Sequence, residues 1–218
     1  MLFEGPCKSS CTVEESGKVI RIISAAITGI KIRRMNVKVF SIKVRDDVVL
    51  RFIRPDEAET VYKQVNDNRA YLGKWLPWVP EQKGPEDSLQ NIQQRIVKAQ
   101  TGETLGLGIY LDGKFIGSVG FNRSVAAQKK GSIGYWIAEE FQGKGIMTDC
   151  VRALVAYGFQ TLGLHRIRIQ CRVNNKKSAA IPERLGFTFE GIGREDEFVG
   201  GHFEDSRVYG ILKQAWKR

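Results

Sequence analysis

The stretch that most constrains this chain is Gln142-Gly143-Lys144-Gly145-Ile146-Met147, which lies between a strand-like run and a helical one. Ser132 to Ala138 reads as a strand. After the loop Glu139 to Gly145, Val151, Leu154, Val155, Phe159 and Leu162 recur on one side of a helix that Gly163 ends. His165 to Val173 then alternates as another strand. A strand–turn–helix–strand unit must bury its helix against its strands, so the chain is committed to a layered α/β domain. The turn also has a chemical character. The first amides of a helix lack intrahelical partners, and the helix dipole adds partial positive charge, so the terminus suits a phosphate. Gly143 and Gly145 let backbone approach an anion closely, Lys144 adds charge and Thr148 adds a hydroxyl. The Walker A spacing is absent, and Thr148 stands where a dinucleotide fingerprint needs its third glycine. Taken alone, Gly-x-Gly before a helix also describes plain turns.

The remaining pattern is mixed and mostly antiparallel. Val37 to Val44 and Val48 to Ile53 read as a strand or hairpin split by Asp46-Asp47. Arg54-Pro55-Asp56-Glu57 opens a helix with Ala58, Val61, Tyr62 and Val65 as its apolar stripe. Trp75-Leu76-Pro77-Trp78 reads as a rigid aromatic loop, either packing or a pocket wall. Pro85-Glu86-Asp87 starts a second helix through Leu89, Ile92, Ile96 and Val97. Asp112-Gly113 joins the strands Thr104 to Leu111 and Lys114 to Phe121 as a hairpin. Lys177 to Leu185 reads as a short helix, followed by strands at about Thr188 to Phe198 and Phe203 to Leu212.

Residues 1–36 lack such a pattern. We expect them to be a leader outside the folded domain at 37–218, arising from a start assigned too early or from a vector. Arg33-Arg34 can be encoded as a ribosome-binding-like run just before Val37. The acidic Glu14 and Glu15 before the apolar Val19 to Ile30 argue against a secretory signal. No run approaches the length of a membrane span. The formal net charge of +10 favours anionic partners without choosing among them. Cys7 and Cys11 have no second pair to complete a zinc site. Cys150 and Cys171 read as buried small hydrophobes in a reducing, cytoplasmic setting.

Gln142-x-x-Gly145 resembles the acyl-CoA signature of the GNAT acetyltransferase superfamily, with Met147 departing from the small residue at the last position. Asn175-Lys176-Lys177-Ser178, Glu183-Arg184-Leu185-Gly186-Phe187 and Glu190-Gly191 are similar to its ribosomal-protein N-terminal acetyltransferase (RimJ/RimL-type) branch. So are Asn68-Arg69 through Trp78 and Asp205-x-x-x-Tyr209, and together these span most of residues 48–212.

The resemblance implies the acyl-CoA N-acyltransferase fold: an α/β (α+β) domain with a mixed sheet flanked by helices and two parallel strands opened into a V. It implies acetyl-CoA as cosubstrate. Gly143, Lys144, Gly145, Ile146, Met147 and Thr148 would hold the pyrophosphate by their amides. Tyr135, Trp136, Ile137 and Ala138 would pair with the pantetheine arm, one of their amides polarising the thioester carbonyl. Asn175 and Gln142 would also contact the cofactor. Lys144, Lys176 and Lys177 would meet the outer phosphates or form a solvated rim. The Tyr that serves many superfamily members as acid is replaced by Pro182. The branch instead implies Ser178 as acid and Glu197 as base through water, although Ser178 also reads as a helix-terminal residue that satisfies backbone groups. Trp75, Trp78, Tyr135 and Asp205 would face the acceptor.

The expected activity is acetylation of a protein amino terminus, of the ribosomal-protein type. A small-amine acetyltransferase acting on a polyamine, amino acid or antibiotic shares the same cofactor half. A non-catalytic CoA- or RNA-binding module is the reading from another class, and no RNA-recognition motif supports it. Members of the branch often dimerise; contact with nucleic acid would come only through a ribosomal substrate.

Overall fold

The computed structural model describes residues 13–15, 18–20, 40–125 and 128–216. Most of the leader proposed at 1–36, with Cys7 and Cys11, lies outside them. Its described part is a ribbon in which β1 (Val13–Glu15) pairs antiparallel with β2 (Lys18–Ile20). The domain is built on an eight-stranded sheet. Its strands are β3 (Ser41–Arg45), β4 (Val48–Arg51), β5 (Leu105–Leu111), β6 (Lys114–Val125), β7 (Lys130–Ile137), β8 (Arg166–Arg172), β9 (Thr188–Val199) and β10 (His202–Leu212). Their spatial order is β3-β4-β5-β6-β7-β8-β10-β9. Every neighbouring pair is antiparallel except β7 and β8.

That exception places the site. β7 and β8 pair only from Lys130↔Arg166 to Ile133↔Ile169. Beyond Ile133, β7 stays paired with β6 and β8 stays paired with β10, so the two parallel strands diverge. Gly134 to Ile137 thus keep one edge of polar backbone turned toward the opening. The expected V is present.

Helices cover both faces. α4 (Ile146–Gln160) lays Val151, Leu154, Val155 and Phe159 into the main core, against Phe121, Ile133, Ile167 and Ile169 from the sheet. Leu162, expected on that helix, lies two residues past its end and only borders the core. The opposite face carries α1 (Ala58–Asp67), α2 (Arg69–Leu72) and α3 (Pro85–Gln100). α2 is a single turn where sequence predicts only loop; its stability comes from Arg69, which donates to the carbonyls of Val79 (2.7 Å) and Gln82 (2.6 Å). α3 begins as expected: Pro85 occupies its first turn and Asp87 Oδ2 accepts the Lys83 and Gly84 amides. Val97, placed in its apolar stripe by spacing, is 59% exposed, while Ala99 packs into the core instead. α5 (Lys176–Arg184) follows β8 and closes one wall of the V. Cys150 and Cys171 are buried free thiols. Among the described residues, no helix is long and apolar enough to cross a membrane.

Candidate active site

A cleft of about 1170 Å³ opens where β7 and β8 part. That exceeds the usual range for compact ligands and suits an elongated one. Its first half is the anion cradle. Gly143 and Gly145 have φ of +73° and +76°, the left-handed region in which a side chain is strained. Positive φ at Gly145 lets the chain turn directly into α4. The first intrahelical bond runs from the Asp149 amide to the Gly145 carbonyl at 3.1 Å. The amides before it are left to an outside acceptor. Arg184 Nη1 donates to Thr148 Oγ1 at 3.1 Å, which sets a guanidinium beside that terminus. Lys177 Nζ donates to Gln142 Oε1 at 3.0 Å at the same rim. Unpartnered amides, a helix terminus and two flanking cations fit a pyrophosphate.

The waist of the cleft joins β7 to α5. Asn175 caps α5, its Oδ1 accepting the Ser178 amide at 3.1 Å. Ser178 Oγ donates to Tyr135 Oη at 3.2 Å, and Tyr135 Oη–H donates to the Ser178 carbonyl at 3.0 Å. Burial pushes the Tyr135 pKa up, so this phenol stays neutral. Tyr135, expected to face the acceptor, is therefore the clamp that holds Ser178.

The second half is aromatic and charged. Trp75, Leu76, Pro77 and Trp78 line it, and Trp78 packs against Trp136 with ring centroids 6.3 Å apart. Glu197, on β9, also lines it. Its carboxyl pKa is raised, chiefly by burial; the Arg172 guanidinium, with Nε 3.7 Å away, opposes the rise, and Asp196 and Glu204 add to it. Arg172 is 5% exposed and held by several partners. Its Nη1 donates to Glu204 Oε1 at 3.0 Å, its Nη2 donates to the Lys74 carbonyl, and its guanidinium sits over Trp75.

Of the residues expected from sequence, Gln142, Gly143, Gly145, Ile146, Met147, Thr148, Asn175, Ser178, Tyr135, Trp136, Ile137, Trp75, Trp78 and Glu197 meet around this one cleft. Lys177 joins them, whereas Ala138, Lys144, Lys176 and Asp205 do not line it. The Ala138 amide donates to the Ile116 carbonyl (3.0 Å) and its carbonyl accepts the Phe141 amide (3.1 Å), so its N–H is not free for a ligand. Lys144 carries its Nζ over the ring of Phe141, a lining residue, 5.3 Å from the centroid. Asp205 Oδ1 accepts the Glu195 amide at 2.9 Å and holds the irregular β9–β10 pairing rather than an acceptor. Sequence reading passed over Arg95, Arg172 and Arg184, which line the cleft. Alternation along β8 puts Arg172 on the face of Arg168 and Gln170; nothing local marks Arg95 or Arg184.

The acetyltransferase (GNAT) domain model matches residues 47–188. The chain is a GNAT acetyltransferase. It is 35% identical over 180 residues to a putative ribosomal N-acetyltransferase, YdaF, of Bacillus subtilis (strain 168), covering 82% of this chain and 98% of the relative. Among solved structures it resembles RimL, a ribosomal L7/L12 α-N-protein acetyltransferase in complex with coenzyme A, with a TM-score of 0.77 and 29% identity, over 79% of this chain and 98% of that one. It also resembles the microcin C7 self-immunity acetyltransferase MccE in complex with acetyl-CoA and AMP, with a TM-score of 0.75 and 34% identity, over 78% and 94%. This acetyltransferase uses acetyl-CoA.

Proposed function

We propose that the acceptor is the amino terminus of a protein, of the ribosomal-protein type named for the relatives. The observation that supports it most is the cleft's second half. It continues from the V along the sheet between the Trp75–Trp78 segment and β9, as a chain terminus requires. Bound acetyl-CoA supplies the thioester carbonyl that an amine attacks. Glu197, its pKa raised by burial, is placed to take the amine's proton through a water. Ser178 Oγ–H is placed to give a proton to the departing sulfur, turning from Tyr135 to do so. Tyr135 keeps the Ser178 rotamer and the first turn of α5 fixed. A cytoplasmic, dimeric enzyme is part of this reading; the buried free thiols fit a reducing compartment.

The test is thiol release from acetyl-CoA against peptides beginning with Ser, Ala or Thr and against a panel of polyamines, amino acids and aminoglycosides. Turnover of the peptides is expected. Release with small amines alone would sink the reading. Glu197 as base also carries a pH signature. It acts ionised, so kcat/KM falls as pH drops through its pKa. Arg172 lowers that pKa, so Arg172→Gln is expected to move the acid limb to higher pH. An unmoved limb would exclude Glu197 as the group that titrates.

A further inference from the structure

Arg95 lines the cleft and has no carboxylate partner among the described residues. Carried by α3 and half-buried, it donates from Nη1 to Ser118 Oγ at 3.1 Å, and Ser118 Oγ donates on to the Leu107 carbonyl at 2.9 Å. That engages one of five guanidinium N–H groups. Of the other cleft cations, Arg172 is paired with Glu204, while Lys177 and Arg184 bond the neutral Gln142 and Thr148 at the phosphate end; Arg95 stands apart from that end, on the β5–β6 side. Burial lowers its pKa, the sign of a charge that is short of compensation. A guanidinium stays protonated regardless, so a desolvated one invites an anion.

The cleft reaches it past Gly134, Asn122 and Ser118, beside a row of glycines that neighbouring groups cover. Gly106, Gly120 and Gly134 stand opposite one another across β5, β6 and β7. A Cβ on Gly120 would strike the Leu105 carbonyl, and one on Gly134 would strike the Asn122 amide. One on Gly106 would lie 3.3 Å from Arg95 Cζ, so the guanidinium rests on that glycine. Gly134 is the first β7 residue past the parallel pairing, where the V begins. Two strand spacings separate it from Gly106, roughly 10 Å. An extended chain covers that in about three residues.

Resting on the protein-terminus reading above, we propose that Arg95 binds a side-chain carboxylate at the second or third position of the acceptor peptide. A free amino acid carries its carboxylate one carbon from the amine and falls short of this span. Arg95 is therefore a specificity-determining residue, and the preferred acceptors are acidic just behind their amino terminus.

The experiment compares C-terminally amidated peptides beginning with Ser that carry Asp, Asn or Lys at position two or three. Wild-type enzyme is expected to favour Asp over Asn in kcat/KM by about 10- to 100-fold. Arg95→Gln should bring that ratio close to one, with the KM for acetyl-CoA unmoved. Arg95→Lys should keep the Asp preference in part, and Arg95→Glu should turn it toward Lys. Absence of an Asp preference in wild type overturns the proposal. So does an Arg95→Gln loss that falls equally on Asp and Asn peptides, the result of a structural role. If only small amines are turned over, the protein-terminus reading fails by itself. Arg95 is then judged by calorimetry of the N-acetylated Asp and Asn peptides with CoA present, where equal affinities overturn it.

Discussion

Glu197→Gln is expected to lower kcat for acceptor acetylation by about 10²- to 10⁴-fold, the usual contribution of a positioned acid or base. The substitution keeps shape and removes only the charge. Arg172 remains paired with Glu204 at 3.0 Å, so the network that fixes β8 to β10 survives and the thermal midpoint should stay near that of wild type. Ser178→Ala is expected to act on the other proton, with a loss in the same range. It also frees Tyr135 Oη from its 3.2 Å partner while leaving the Tyr135 bond to the Ser178 carbonyl intact, so α5 stays in place. Steady-state kinetics with saturating acetyl-CoA separates the outcomes. If both variants keep full turnover, the two side chains have no chemical role, and catalysis rests on proximity and carbonyl polarisation alone.

Gly117→Val is expected to damage the cofactor half without touching a proposed proton carrier. Gly117 on β6 lies opposite Ile137 on β7. A Cβ there would meet the Trp136 carbonyl oxygen and come within 2.9 Å of Ile137 Cα. These are backbone atoms of the V edge and cannot rotate aside, so β7 must shift. Overpacking of this kind costs about 1–3 kcal/mol. For a domain of this size the thermal midpoint should fall by roughly 2–12 °C. Because the displaced segment is the proposed pantetheine edge, the KM for acetyl-CoA should rise more than about 10-fold, as a lost pair of backbone hydrogen bonds requires. Calorimetric melting and acetyl-CoA titration check the two parts. A stable variant with unchanged KM would show that the arm does not lie along Gly134 to Ile137.

The turn at Gly143 and Gly145 was legible at once, because positive φ and free helix amides are local properties that a short stretch can carry. The Asp112-Gly113 hairpin and the Pro85 helix start were legible for the same reason. Failures came where a neighbour decided. Val97 has helical spacing but faces water, because the α3 surface that packs is set by β5 and α1. Asp205 and Ala138 carry suitable groups, yet each is consumed by a backbone partner that sequence cannot place.

From its sequence alone, this chain determined a phosphate-binding turn on an α/β scaffold, because that rests on short-range spacing; Ser178 and Glu197 were named only by the resemblance to the ribosomal-protein branch. Only the tertiary structure decided that Tyr135 clamps Ser178, that Arg172 restrains Glu197, and that Arg95 reaches the cleft on Ser118 without a carboxylate partner. Those relations join residues 43, 25 and 23 positions apart in the pairs Tyr135–Ser178, Arg172–Glu197 and Arg95–Ser118. Charge compensation and desolvation are properties of the folded surroundings, and no local pattern encodes them.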